Sequence, residues 1–121
     1  MKLIEFKKNY NLYGSIITSW NWAESHRLVW EVDLSNLNQQ GYIESDPDFR
    51  NVIIIFNNCS VVDSLNQGFD GFINGDGRVI AEELLNRDSL KILFMHDLYN
   101  GESEKLVSII ISSSDVSVID K

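Results

Sequence analysis

The stretch Asn74-Gly75-Asp76-Gly77-Arg78-Val79-Ile80-Ala81-Glu82-Glu83 comes nearer to a chemical motif than any other in the chain. It matches the second part of an EF-hand calcium loop. With Gly77 at the sharp turn, Asn74 and Asp76 take the third and fifth ligand positions, and Val79 the apolar one. Glu83 then takes the twelfth, where a bidentate carboxylate completes the ligand set. The first position, however, is Phe72, which offers the ion no side-chain oxygen; the ninth is Ile80, and Asp70 stands two residues too early. Gly68 and Gly71 occupy the place of an entering helix. A tight turn between strands, with glycine supplying positive φ, accounts for Asn74 to Gly77 more simply. A small-ligand- or calcium-binding module centred on the loop 74–83, with Asn74, Asp76 and Glu83 as the calcium ligands, is the second reading.

Other reactive side chains stand apart. His26 and His96 are 70 positions apart, and neither has a histidine or carboxylate at ligand spacing. Ser25 and His26 are neighbours, and adjacent residues of a strand point to opposite faces, so they do not form a nucleophile and its base. Cys59 ends an apolar run with no Lys, Arg or His beside it, the setting of a buried, inert thiol. No nucleophile elbow, phosphate loop or dinucleotide fingerprint occurs. The expectation is a protein that is not an enzyme and needs no cofactor. A site built on His26 or His96 with a carboxylate brought near by folding is a third and weaker reading.

Charge is more informative. The 121 residues carry 18 Asp and Glu against 10 Lys and Arg, a net −8. That balance disfavours nucleic acid and anionic membranes, whose binders need cations to displace counterions, and favours a basic protein partner. The excess is localised. Residues 31 to 76 hold Arg50 against Glu31, Asp33, Glu44, Asp46, Asp48, Asp63, Asp70 and Asp76, a net −7. Such a run is commonly a solvated face, but an acidic patch also steers a basic partner. Trp20, Trp22 and Trp30 concentrate aromatic area early in the chain. Packing the core is their first reading; Trp20 or Trp22 as an interface anchor is the second.

The elements needed to position these residues are mostly strands. His26, Leu28, Trp30, Val32 and Leu34 alternate with Arg27, Glu31 and Asp33 as in a half-buried strand. Val52 to Phe56 is continuously apolar, the pattern of a central strand covered on both faces. Leu90 to Phe94, Leu106 to Ile111 and Val116 to Ile119 repeat the β-branched signature, and Arg78 to Leu85 favours strand over helix. Asn100-Gly101 predicts a hairpin pairing Phe94 with the segment from Leu106. The fold expected is mainly β: a single antiparallel domain over residues 1–121, a sandwich or strongly bent sheet of seven or eight strands, with one short helix near Asp63 to Phe69.

A lone cysteine excludes a disulfide-stapled scaffold, and the start of the chain lacks the apolar run of a signal peptide, so a cytoplasmic location is expected. No stretch is long and apolar enough for a membrane helix.

The order Trp20-x-Trp22-x-x-Ser25-His26, then Val52 to Phe56 with Asn57-Asn58-Cys59, resembles small β-rich bacterial proteins. Phe69-x-x-Phe72-Ile73-Asn74 and Ile111-Ser112-Ser113-Ser114-x-Val116-x-Val118 extend the likeness. Some such proteins serve as immunity proteins of polymorphic toxin systems. Arg27 departs from the acidic residue that often follows the histidine in them. The resemblance implies an antidote that occludes a cognate toxin domain. Its contact surface would use Glu31, Asp33, Glu44, Asp46 and Asp48, with Trp20 or Trp22 as anchor.

Overall fold

A computed structural model describes residues 1–65, 69, 75–98 and 104–121. The chain begins with a helix, α1 (Leu3–Asn9), followed by β1 (Ile16–Glu24) and β2 (Arg27–Ser35). A single 3-10 turn, Asn36–Asn38, precedes β3 (Phe49–Asn57) and β4 (Ser60–Asp63). β5 (Gly75–Asn86), β6 (Ser89–Leu98), β7 (Lys105–Ser112) and β8 (Asp115–Asp120) complete the sheet. All pairings are antiparallel, in the order β4-β7-β6-β5-β1-β2-β3-β8.

The alternation read in β2 is borne out: Leu28, Trp30, Val32 and Leu34 are buried while Val29, Glu31 and Asp33 are half-exposed. His26 leaves that face. With Ser25 it forms the turn of the β1–β2 hairpin, closed by Glu24 opposite Arg27. Arg78 to Leu85 is strand, and Phe94 pairs with Val107 as the Asn-Gly signal predicts; the Asn-Gly turn itself lies outside the described residues.

The ends of the strand order are not separate edges. β3 runs into β4 through Asn58 and Cys59, and β7 into β8 through Ser113 and Ser114. Across both joints the register continues without slip, from Asn57↔Asp115 to Ser60↔Ser112. These four strands therefore form one long ribbon, bent in the middle. One half pairs with β2 and the other with β6, so the pairing closes into a ring around the core. Asn58 makes the bend with φ of 47°, a left-handed conformation that asparagine tolerates better than most residues. Its side-chain Nδ2 donates to Ser114 Oγ at 2.9 Å, which ties the two joints together.

Inside the ring the aromatic rings pack edge to face or tilted. Trp30 meets Phe56 at 4.9 Å between centroids, and Trp20 meets Trp30 and Phe69 at 5.1 Å each. Helix α1 contributes to the same core. Leu3 and Phe6, one turn apart, are fully buried, and Phe6 abuts Phe56 at 6.1 Å. Burying those two side chains supplies roughly 1.5–3 kcal/mol each, and Lys7 and Lys8 suit the negative end of the helix. Lys7 Nζ also reaches Glu82 Oε1 on β5 at 2.8 Å, and the Leu12 N–H donates to the same oxygen at 3.3 Å.

Two expectations need correction. The short helix among the described residues is α1 at Leu3–Asn9; of the segment where one was expected, Asp63 to Phe69, residues 66–68 lie outside the described residues. Asp63 ends β4, and its carboxylate accepts from the Leu65 and Phe69 N–H groups. The run Val52 to Phe56 is covered on one face only. Val52, Ile54 and Phe56 point into the core, while Ile53 and Ile55 stay half-exposed outside.

Candidate interaction surface

Five of the eight acidic residues of the middle segment meet on one supersecondary unit, while Asp63 ends β4, Asp76 lies on β5 and Asp70 lies outside the described residues. Glu31 and Asp33 lie on β2, and Glu44, Asp46 and Asp48 lie on the loop that joins it to β3. Ser35 pairs with Phe49, so this long loop leaves and returns at one end of the hairpin. Asn36 fastens its base: its backbone N–H donates to Asp48 O at 2.9 Å and its Nδ2 to Pro47 O at 2.8 Å. Asp46 Oδ2 accepts from the Ile43 N–H at 3.1 Å, which shapes the tip.

The outward face of the same hairpin continues onto β1 and β8. One row across it reads Asn21, Val29, Ile55, Ser117, and the next Ser19, Glu31, Ile53, Ile119. The third begins Ile16, Asp33, Asn51. Val29, Ile53 and Ile55 thus form an apolar strip, half-exposed, with Ile119 at its border 49% exposed. Carboxylates flank the strip. Glu31 is paired with Lys121 Nζ at 2.8 Å, and Asp33 accepts from Asn51 Nδ2 at 2.6 Å. Both contacts are open to water, where an ion pair contributes about 1 kcal/mol or less. Asp33 and the loop acids therefore carry the uncompensated charge of this side.

Strand β8 borders the face, and its outer side is partly capped. Val116 N–H donates to Met1 O at 2.6 Å, and the Met1 amine donates to Val116 O at 2.8 Å. The amine also lies 2.9 Å from Asp115 Oδ1, and that hydrogen bond holds the Asp115 carboxyl below the usual carboxylate range.

The two tryptophans proposed as anchors separate. Trp20 is 2% exposed and belongs to the core, which removes it from any surface, whereas Trp22 near the end of β1 is 38% exposed. Cys59 is buried, and desolvation pushes its thiol up to about 12. His26 sits exposed in its turn, and His96 is buried on β6 opposite Gly77. Asn74 lies outside the described residues. Asp76 and Glu83 do not converge: both belong to β5, with Asp76 opposite Asp97 and Glu83 opposite Lys91. Seven residues of extended chain separate them by roughly 20 Å, too far for one ion. Among the described residues no group of three or more His, Cys, Asp or Glu is placed to hold a metal.

One feature is not signalled by any motif. A recess of about 530 Å³ opens between the end of α1, the β2–β3 loop and the start of β3, and its lining includes Tyr10, Asn36, Tyr42, Asp46 and Arg50. These residues are scattered over forty positions, and only Asp46 belongs to the acidic set. The outer strip did leave a trace, because every second residue of an apolar run must face outward in a strand. Comparison with family models, with curated proteins and with solved structures found no match.

Proposed function

We propose that the protein is a non-enzymatic binding protein that covers a basic surface on another protein, most concretely a cytoplasmic immunity protein that blocks a toxin domain by occlusion. The observation that carries this reading is the outer face of β1, β2, β3 and β8. There an apolar strip of Val29, Ile53, Ile55 and Ile119 lies uncovered beside Asp33, with Glu44, Asp46 and Asp48 on the adjoining loop. An apolar centre with a charged rim is the anatomy of a protein interface, and the sign of the rim selects a basic partner. An area near 1,600 Å² in total is ordinary for such a complex.

Co-expression with the product of the adjacent reading frame tests the reading. The expected result is a complex that survives purification and relief of that product's toxicity. Neither a complex nor relief would overturn it. Within such a complex, Ile53→Asp should abolish binding, since it sets a charge in the middle of the strip, while leaving the inward core untouched.

A further inference from the structure

We propose that the recess beside the β2–β3 loop is an anchor site for an arginine side chain of the partner, an inference that rests on the binding reading above. The recess is lined by acceptors and by aromatic rings suited to a guanidinium. Asp46 uses Oδ2 to accept from the Ile43 N–H, and among the described residues its Oδ1 accepts no hydrogen bond. Asn36 spends its Nδ2 on Pro47 O, and its Oδ1 likewise accepts none. Among the described residues Tyr10 and Tyr42 make no side-chain hydrogen bond, and Tyr10 is fixed by stacking on Phe6 at 5.5 Å.

Gln39, by contrast, is fully used. Its Nε2 donates to Asn11 O and Ser35 O at 2.6 and 2.7 Å, and its Oε1 accepts from the Asn11 N–H at 2.9 Å. It therefore serves as the brace that holds the wall, leaving the unspent acceptors for a ligand. Arg50, the one cation among the described lining residues, is turned toward Asp120, with Nε 3.2 Å from Oδ1. Glu44 and Asp48 on the same loop leave the neighbourhood negative.

Such a site distinguishes arginine from lysine. A planar guanidinium presents five donors in a fixed fork and stacks on a tyrosine face, whereas an ammonium is a strongly hydrated point charge. It also fits the energetics of interfaces, in which a few anchors seated in pockets dominate.

The test titrates the intact protein with N-acetyl-arginine amide, with its lysine and citrulline counterparts as controls, and follows backbone amide shifts by NMR. The expected result is saturable movement of Gly41, Tyr42 and Asp46 with the arginine probe at millimolar concentration, weaker movement with lysine and none with citrulline, which lacks the charge. Asp46→Asn should weaken the arginine probe about tenfold, and Tyr42→Ala, which spares the loop's hydrogen bonds, should weaken it as well. No saturable shift, equal shifts with citrulline, or unchanged binding in both variants would overturn the site. The two readings fail separately. If partner capture is lost in Ile53→Asp but unaffected by Asp46→Asn and Tyr42→Ala, the recess is not an anchor and the binding face stands. Saturable arginine binding without any partner complex would support the recess while removing the occlusion reading.

Discussion

At Glu82 a single carboxylate ties a helix to a sheet. Its side chain is 4% exposed, against 32% for its partner Lys7. Removing either partner is therefore not equivalent. Lys7→Met leaves a buried carboxylate with only the Leu12 N–H as donor, and should cost about 2–3 kcal/mol in urea denaturation. Glu82→Gln keeps an acceptor for Leu12 and leaves Lys7 able to hydrate, so about 1 kcal/mol is expected; the reverse order would show that the pair does not govern this joint. Cys59 poses a different question. Because burial raises its thiol to about 12 from 9.0, the ionised form is disfavoured only in the folded chain. The thiol's stabilising contribution is thus whole below pH 9 and is lost as pH rises from 9 toward 12. At pH 8 the native protein should resist a thiol-labelling reagent that modifies it readily in denaturant, and equal rates in the two conditions would contradict this burial. The inert thiol was legible from its apolar context; Glu82 was not, since its partners lie on α1 and in the segment after it, 75 and 70 positions away.

Between elements, the bent ribbon decides the architecture. Strands were readable because alternation and β-branched runs are local, and β2 and β6 carry their faces in the sequence. The closure was not, because it depends on register between segments far apart in the chain, from Asp63↔Ile109 to Val52↔Asp120, which no local pattern encodes. Helix α1 escaped notice for a related reason: seven residues make two turns, and only Leu3 and Phe6 mark its buried face. The bend itself offers a sharp test. Asn58 has positive φ, so Asn58→Gly should change stability by less than about 0.5 kcal/mol, the lost bond to Ser114 being offset by relieved strain. Asn58→Val, which adds β-branching at the same φ, should cost about 1–2 kcal/mol. If both substitutions behave alike in thermal unfolding, the left-handed bend is not what joins the two halves of the ribbon.

For the molecule as a whole, net charge acquires meaning only through its placement. A −8 spread evenly would serve solubility and little else, but the fold gathers Asp33, Glu44, Asp46 and Asp48 on one hairpin, with Lys121 masking Glu31 alone. The acidic half of this surface was visible in the sequence, because charge runs are local. The apolar strip and the tyrosine recess needed the register of four strands and the packing of α1 to come into being. Steering and anchoring should then separate kinetically. Exposed charges act at long range before contact, so reversing Glu44 and Asp48 to lysine should slow association about tenfold at low salt and leave dissociation nearly unchanged. At a Debye length of about 3 Å, near 1 M salt, the difference should vanish. Substitutions in the strip act after contact and should raise the dissociation rate at every salt concentration. Stopped-flow association measured across ionic strength distinguishes the two. An on-rate in the Glu44→Lys, Asp48→Lys variant equal to that of the parent at low salt would mean that this acidic loop is only a solvated face, and that whatever the hairpin binds is not drawn to it by charge.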